Sequence, residues 1–267
     1  MNPSGRFHSL EVSDPSLEWA GLRLVTLKSA HLKGRGDLTL HVPTVAKGCR
    51  NVPLVLLLHG IYGSHWGWSL RGAAHETNER LSRGGSIPPL VLAMPSDGLW
   101  GDGSLYLPHH GQDFERWIVE DVPEVTRLVV PEVGSNSPVF IAGLSMGGFA
   151  ALRLGARFPE VFAGMSGLSS VTDLSQLAAL VQEDHSSLDL PASDRSLREA
   201  FRSSRNIRPF RFDCGREDFL IEANRELHRD LTEAGVPHQY EESSGIHDWS
   251  YWRTSLEATL RFFASLS

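Results

Sequence analysis

Cysteine is scarce: the 267 residues hold two, Cys49 and Cys214, far apart and without C-x-x-C spacing. That argues against a disulfide framework and against a zinc–cysteine site. No HExxH or comparable ligand spacing occurs among the 12 histidines, so neither a metal nor another cofactor is expected. Basic residues are outnumbered, 25 Lys and Arg against 32 Asp and Glu for a net charge of −7. They form no dense cluster, which argues against nucleic acid or anionic membrane as a partner. The longest apolar runs, Val52 to Leu58 and Pro89 to Met94, fall well short of the ~20 residues that span a bilayer. The segment Met1 to Leu10 lacks the charged start, apolar stretch and small-residue site of a secretory signal. A cytoplasmic protein is expected, and a secreted one whose leader has been removed would look the same. No linker, repeat or low-complexity tract divides the chain, so a single domain over 1–267 is expected.

What is present is an alternation of short β-branched or Leu-rich runs with longer helical stretches, the pattern of a mostly parallel sheet covered by helices. Leu22 to Lys28 and Asp37 to Val42 read as an antiparallel pair, and Pro53 to His59 as a fully buried central strand. Further strands are expected at Pro89–Pro95, Pro138–Ala142, Val161–Ser166, Pro209–Asp213 and Pro237–Glu242. Helices are expected within Trp68–Leu81, Asp113–Val130 with a kink or break at Pro123, Met146–Phe158, Glu217–Ala234 and Trp249–Leu266. The loop from Ser96 to Gln112 is too long for a simple connector and reads as the wall of a binding site. Residues 171–204 are polar and weakly helical, and read as an insertion or cap over the sheet.

The strongest motif is Gly143-Leu144-Ser145-Met146-Gly147, directly after one expected strand and directly before an Ala-rich helix. This is the strand–turn–helix context of a G-x-S-x-G nucleophile elbow. Small residues flank the serine because its backbone is strained and its neighbours approach closely. A serine hydroxyl needs a base, and the base needs an orienting carboxylate, which follow it in the chain order Ser, Asp or Glu, His. Of His185, His228, His238 and His247, only His247 lies in a loop between the last strand and the last helix, where ligands meet such a sheet. It is assigned the base. The carboxylate is expected in the loop after Pro209–Asp213, at Asp218, with Glu217 as its nearest rival and a helix-start acid as the bland reading of either. Backbone N–H groups of Met146, at the start of the helix, and of Ile61, in the His59-Gly60-Ile61 loop, are the expected oxyanion donors. His59 itself reads as a structural, hydrogen-bonded histidine. Trp66, Trp68, Trp100 and Tyr106 fall in the two loops nearest this site and are candidates for lining an acyl or alcohol pocket, with core packing the alternative.

On these segments, together with Leu54–Gly60, Asp213-Cys214-Gly215-Arg216-Glu217-Asp218 and Gly245-Ile246-His247-Asp248-Trp249, the chain resembles the putative-esterase branch of the α/β-hydrolases. That branch includes tributyrin-type, feruloyl and acetylxylan esterases, S-formylglutathione hydrolase (esterase D) and the antigen 85 mycolyltransferases. The resemblance implies an α/β-hydrolase fold and a cofactor-free serine esterase acting on a small-molecule ester through Ser145, Asp218 and His247. Where the S-formylglutathione hydrolases usually carry histidines around the elbow, this chain has Leu144 and Phe149, and its His-Asp-Trp ending is closer to the tributyrin and feruloyl enzymes. The rival readings are a thioesterase of the S-formylglutathione type, an acyltransferase, and a non-catalytic binding module on the same scaffold. Oligomeric state and the natural acyl and alcohol groups are not legible.

Overall fold

The structure, a computed structural model, describes residues 7–98, 101–183 and 188–267. The chain opens with strands β1 (Leu10–Val12), β2 (Leu22–Ser29) and β3 (Gly34–His41). Next come β4 (Leu54–Leu58), helices α1 (Gly67–Leu70) and α2 (Ala74–Arg83), β5 (Val91–Pro95) and a small hairpin of β6 (Pro108–His109) and β7 (Gln112–Asp113). Helix α3 (Phe114–Arg116) runs through a π-helical turn into α4 (Val122–Val129). Then follow β8 (Val139–Leu144), α5 (Met146–Arg157), β9 (Phe162–Leu168), α6 (Ala192–Arg195) and α7 (Leu197–Ser203). The last elements are β10 (Phe210–Gly215), α8 (Ile221–Glu233), β11 (Gln239–Ser243) and α9 (Trp249–Ser265).

Among the described residues nine strands form one sheet in the order β1-β2-β3-β5-β4-β8-β9-β10-β11. From β5 to β11 neighbouring strands are parallel, whereas β1, β2 and β3 add on antiparallel at one end. This is the α/β-hydrolase arrangement. The inner strands are apolar at every position because both faces are covered. Leu54, Leu56 and Leu58 pack with α4, α5, α7 and α8 on one side, while Val55 and Leu57 pack with α2 and α9 on the other. No described helix is long and apolar enough to cross a membrane.

Three expected elements depart from plan for local reasons. The helix expected within Trp68–Leu81 is two helices, broken at Gly72 and Ala73, where Ala73 takes a φ of +50°. A Cβ on Gly72 would lie 2.6 Å from the Trp68 carbonyl and 2.9 Å from the Trp249 ring. The kink expected at Pro123 is a π turn over Trp117–Asp121, which widens the helix where a proline ring would otherwise meet the carbonyl four residues back. The helix expected from Glu217 begins only at Ile221, because Asp218 and Ile221 donate backbone hydrogen bonds into a preceding turn. Strand β1 has no counterpart in the sequence reading. The 171–204 stretch joins the helical layer itself: Leu177, Leu197 and Phe201 are buried in the core shared with α5 and α8.

Beneath α2 lies a buried polar cluster. The Asn78 amide donates to Nδ1 of His41 at 3.0 Å, and the His75 ring stands 6.1 Å from that of His41. Burial pushes the His41 imidazole down to about 4, aided by His75 and opposed by Glu79; burial lowers His75 as well, against the pull of Glu76. Between the ordinary value of 6.5 and about 4 the folded chain binds fewer protons at His41 than the unfolded chain. The contribution of His41 to stability is therefore fully present above about 6.5 and is lost as pH falls toward 4. Thermal melts between pH 7 and 4.5 should show a falling midpoint, and His41→Gln should flatten part of that fall; equal slopes in both proteins would remove His41 as its source.

Candidate active site

Strand β8 ends at Leu144 and α5 starts at Met146, leaving Ser145 alone to make the turn, with φ +55° and ψ −119°. A non-glycine residue holds such a conformation only when its surroundings impose it. Here they do so through close backbone packing. A Cβ on Gly147 would lie 2.5 Å from the carbonyl oxygens of both Leu58 and His59 at the end of β4, and one on Gly143 would strike the Gly147 carbonyl. The Ser145 N–H donates to the Leu168 carbonyl at 3.0 Å, and its own carbonyl accepts from Phe149 at 3.0 Å. The hydroxyl thus rises from the carboxyl end of the sheet.

His247 and Asp218 meet it there. His247 Nε2 is 3.0 Å from Ser145 Oγ, and Nδ1 is 2.8 Å from Asp218 Oδ2. With a carboxylate facing Nδ1, that nitrogen carries the proton and Nε2 faces the hydroxyl as acceptor. The Asp218 side chain is fully buried, and its Oδ1 accepts the Leu220 N–H at 2.9 Å. Glu217 has a separate task. Its Oε2 accepts the Gly245 N–H at 2.6 Å while its own N–H donates to the Gly245 carbonyl at 3.2 Å, clasping the loop that bears His247. Asp248 caps α9 by accepting from the N–H groups of Ser250 and Tyr251. The imidazole contacts two rings, Phe219 tilted at 4.6 Å and Trp252 edge-on at 4.9 Å.

The loop after β4 runs against the elbow, for a Cβ on Gly60 would lie 3.1 Å from the Ser145 Cβ. Ile61 and Met146 are brought together under Gly103, whose added Cβ would lie 3.4 Å from the Ile61 side chain and 2.6 Å from Met146 Sδ. His59 is a structural histidine: Nδ1 donates to the Gly60 carbonyl at 2.8 Å and Nε2 accepts the Asp97 N–H at 3.1 Å. Tyr62 ties this loop to its neighbours, its N–H donating to the Asp102 carbonyl at 2.8 Å and its hydroxyl to the Leu180 carbonyl. Asp102 in turn accepts from Gln182 and donates its N–H to Glu183. The 171–204 insertion is thereby fastened beside Ile61.

Of the aromatic residues expected to line a pocket, two prove to be core. Trp68 is buried, its indole N–H donating to the Leu58 carbonyl at 2.9 Å and its ring set edge-on to Trp249. Tyr106 is also buried, with its hydroxyl on the His59 carbonyl at 3.1 Å. Much of the Ser96–Gln112 loop is therefore interior packing, with Leu105 and Leu107 buried too. Trp66 stands half exposed at the start of α1, and Trp100 lies outside the described residues. The large apolar side chains exposed next to site residues along the chain are instead Tyr62, Phe219 and Ile246, and the Phe219 ring contacts His247. Their signal was adjacency, since each follows or precedes a site residue by one position.

A sheet of this order, with a strained serine at the end of β8, next to the central strand β4, facing a histidine–carboxylate pair, defines the α/β-hydrolase class. A family model described as "Putative esterase" matches residues 29–263, and the chain belongs to that family. It is an enzyme, a hydrolase of carboxylic esters. An acetyl esterase of Caldicellulosiruptor saccharolyticus is 27% identical to it over 81% of this chain and 85% of the other. Among solved structures, the fluorophosphonate-binding serine hydrolase F of Staphylococcus aureus superposes with a TM-score of 0.79 at 20% identity, covering 91% of this chain and 98% of that one. A ferulic acid esterase gives 0.73 at 23% identity, covering 97% and 100%. These two likenesses establish the fold.

The glycine contacts make a stability prediction. Gly147→Ala should lower the free energy of unfolding by at least about 3 kcal/mol or prevent folding, because rigid backbone cannot yield to the new methyl. Gly34→Ala, which meets only an ordinary contact at 3.5 Å, should stay within about 1 kcal/mol of the parent. Urea denaturation of the two variants reads the difference.

Proposed function

We propose that this chain hydrolyses short-chain or aryl carboxylic esters through a Ser145–His247–Asp218 triad and an acyl-enzyme. The observation that supports this most is the continuous line of hydrogen bonds from Asp218 Oδ2 through both imidazole nitrogens to Ser145 Oγ, at 2.8 and 3.0 Å. Oγ attacks the ester carbonyl carbon while Nε2 of His247 takes the hydroxyl proton. Asp218 accepts from Nδ1, holding the tautomer and balancing the imidazolium. The carbonyl electron pair moves onto oxygen, and the N–H groups of Ile61 and Met146 receive that oxyanion, Met146 being the first residue of α5 with the helix dipole behind it. Collapse of the tetrahedral adduct breaks the bond to the alcohol oxygen, which departs with the proton from Nε2. Water then attacks the acyl group on Oγ by the same route, releasing the acid and restoring Ser145. Tyr62, Phe219 and Ile246 offer apolar surface to the acyl or alcohol group. A modest acyl group also agrees with the acetyl esterase likeness.

Ser145→Ala should reduce turnover of a short p-nitrophenyl ester by at least about 10³-fold, and a fluorophosphonate probe should label the parent protein at Ser145 and spare the variant. A variant that keeps most of its turnover would reject the mechanism.

A further inference from the structure

Strand β10 holds a buried carboxylate for which ester hydrolysis has no chemical use. Asp213, 2% exposed, stands five residues before Asp218 and faces α9 beside Arg211. Arg211 Nη1 donates to Asp213 Oδ2 at 2.7 Å, and the Tyr251 hydroxyl donates to Oδ1 at 2.9 Å. Arg211 also donates to Thr259 at 3.0 Å and to Glu241 at 3.1 Å. Burial pushes the Asp213 carboxyl up, and Arg211 together with hydrogen bonds from Ser255 and Tyr251 pulls it back. A buried ion pair of this kind adds little stability over an apolar pair of the same volume, because desolvation offsets the attraction. Its value lies in the geometry that it imposes.

Three segments converge on this residue. Its carbonyl accepts the Ser169 N–H at 2.8 Å, and the preceding Leu168 carbonyl receives the Ser145 N–H at 3.0 Å, which joins Asp213 to the elbow. Its own strand leads through Gly215, whose carbonyl accepts the Asp218 N–H at 3.1 Å, to the acid. Its side chain holds Tyr251 in the first turn of α9, and the Tyr251 ring fills the space under Gly245, where an added Cβ would lie 2.5 Å from Cδ2. Gly245 is two residues from His247, and it lies so close to Gly215 that a Cβ there would strike its carbonyl.

We infer that Asp213 is a positioning residue: through its bond to the Tyr251 hydroxyl it sets where the His247 loop stands relative to Asp218 and Ser145. The inference rests on the triad reading above. Losing the tie removes none of the three side chains but lets the imidazole wander from the Ser145–Asp218 line. A displacement of about 1 Å is enough to slow the chemical step by one to two orders of magnitude.

Tyr251→Phe removes one oxygen and keeps the ring under Gly245, and Asp213→Asn keeps the shape and removes the charge. Both are compared with the parent per active site, counted by fluorophosphonate titration run to completion. For Tyr251→Phe, kcat should fall about tenfold with KM within twofold, the fluorophosphonate labelling rate should fall by a like factor, and the acid limb of the pH–rate profile should move. Asp213→Asn should show the same pattern at least as strongly. Either variant, if folded, giving parental kcat per titrated site with only a lower melting temperature would overturn the inference and leave Asp213 as part of the fold alone. Ser145→Ala separates the two readings: if it remains active the triad fails, whereas an inactive Ser145→Ala beside a fully active Tyr251→Phe removes only the role of Asp213.

Discussion

The structure turns on one close approach, where the end of β4 touches the first turn of α5. Gly147 lies so near the carbonyls of Leu58 and His59 that β8 must turn within a single residue, and that residue is Ser145. The tightness of this contact places the hydroxyl above the sheet rather than within it, and sets Gly60 and Ile61 beside the helix start. It also forces a left-handed φ on a serine, which costs on the order of 1–3 kcal/mol and persists only if neighbouring elements cannot relax.

Much of the surrounding structure keeps them from relaxing. Arg153, buried in the middle of α5, donates to Glu115 at 2.7 Å, to Asp194 at 2.7 Å and to the Tyr106 carbonyl at 2.9 Å. One side chain thereby joins α3, α5, α6 and the loop after β5. Tyr106 passes the connection on to the His59 carbonyl, so the helix behind the serine and the loop in front of it share one polar brace. Breaking such a brace strands a buried charge, which makes it unforgiving of partial loss.

The sheet was legible in sequence because its inner strands are buried on both faces and read as unbroken apolar runs. The elbow was legible because the glycines that permit it are required by local backbone geometry. Ser145, Asp218 and His247, picked from chain order and loop position, are the three side chains that the fold brings into one hydrogen-bonded line. Less could be read where long-range packing decides. Trp68 and Tyr106 sit in loops by sequence but are interior by structure, since periodicity does not report burial of an irregular segment. Glu217 stood as a rival to Asp218, yet it clasps Gly245 instead, a difference of one residue in a turn that no pattern resolves. Gly72 broke a helix because Trp249, far along the chain, occupies the space a side chain would need. Asp213 read simply as a strand end, because its partner Tyr251 is 38 positions away.

The two rings that contact His247 bear on the direction in which protons travel. Turning the imidazole over would break its bond to Asp218 and shift it against the rings of Phe219 and Trp252, which contact it at 4.6 and 4.9 Å. In the proposed mechanism one nitrogen therefore serves both halves of the cycle without a ring flip. The alcohol must leave from, and the water must arrive at, the same Nε2. A departing alcohol that lingers there blocks the second half of the reaction, so the order of exit and entry follows from the one hydrogen bond that fixes which nitrogen faces Ser145.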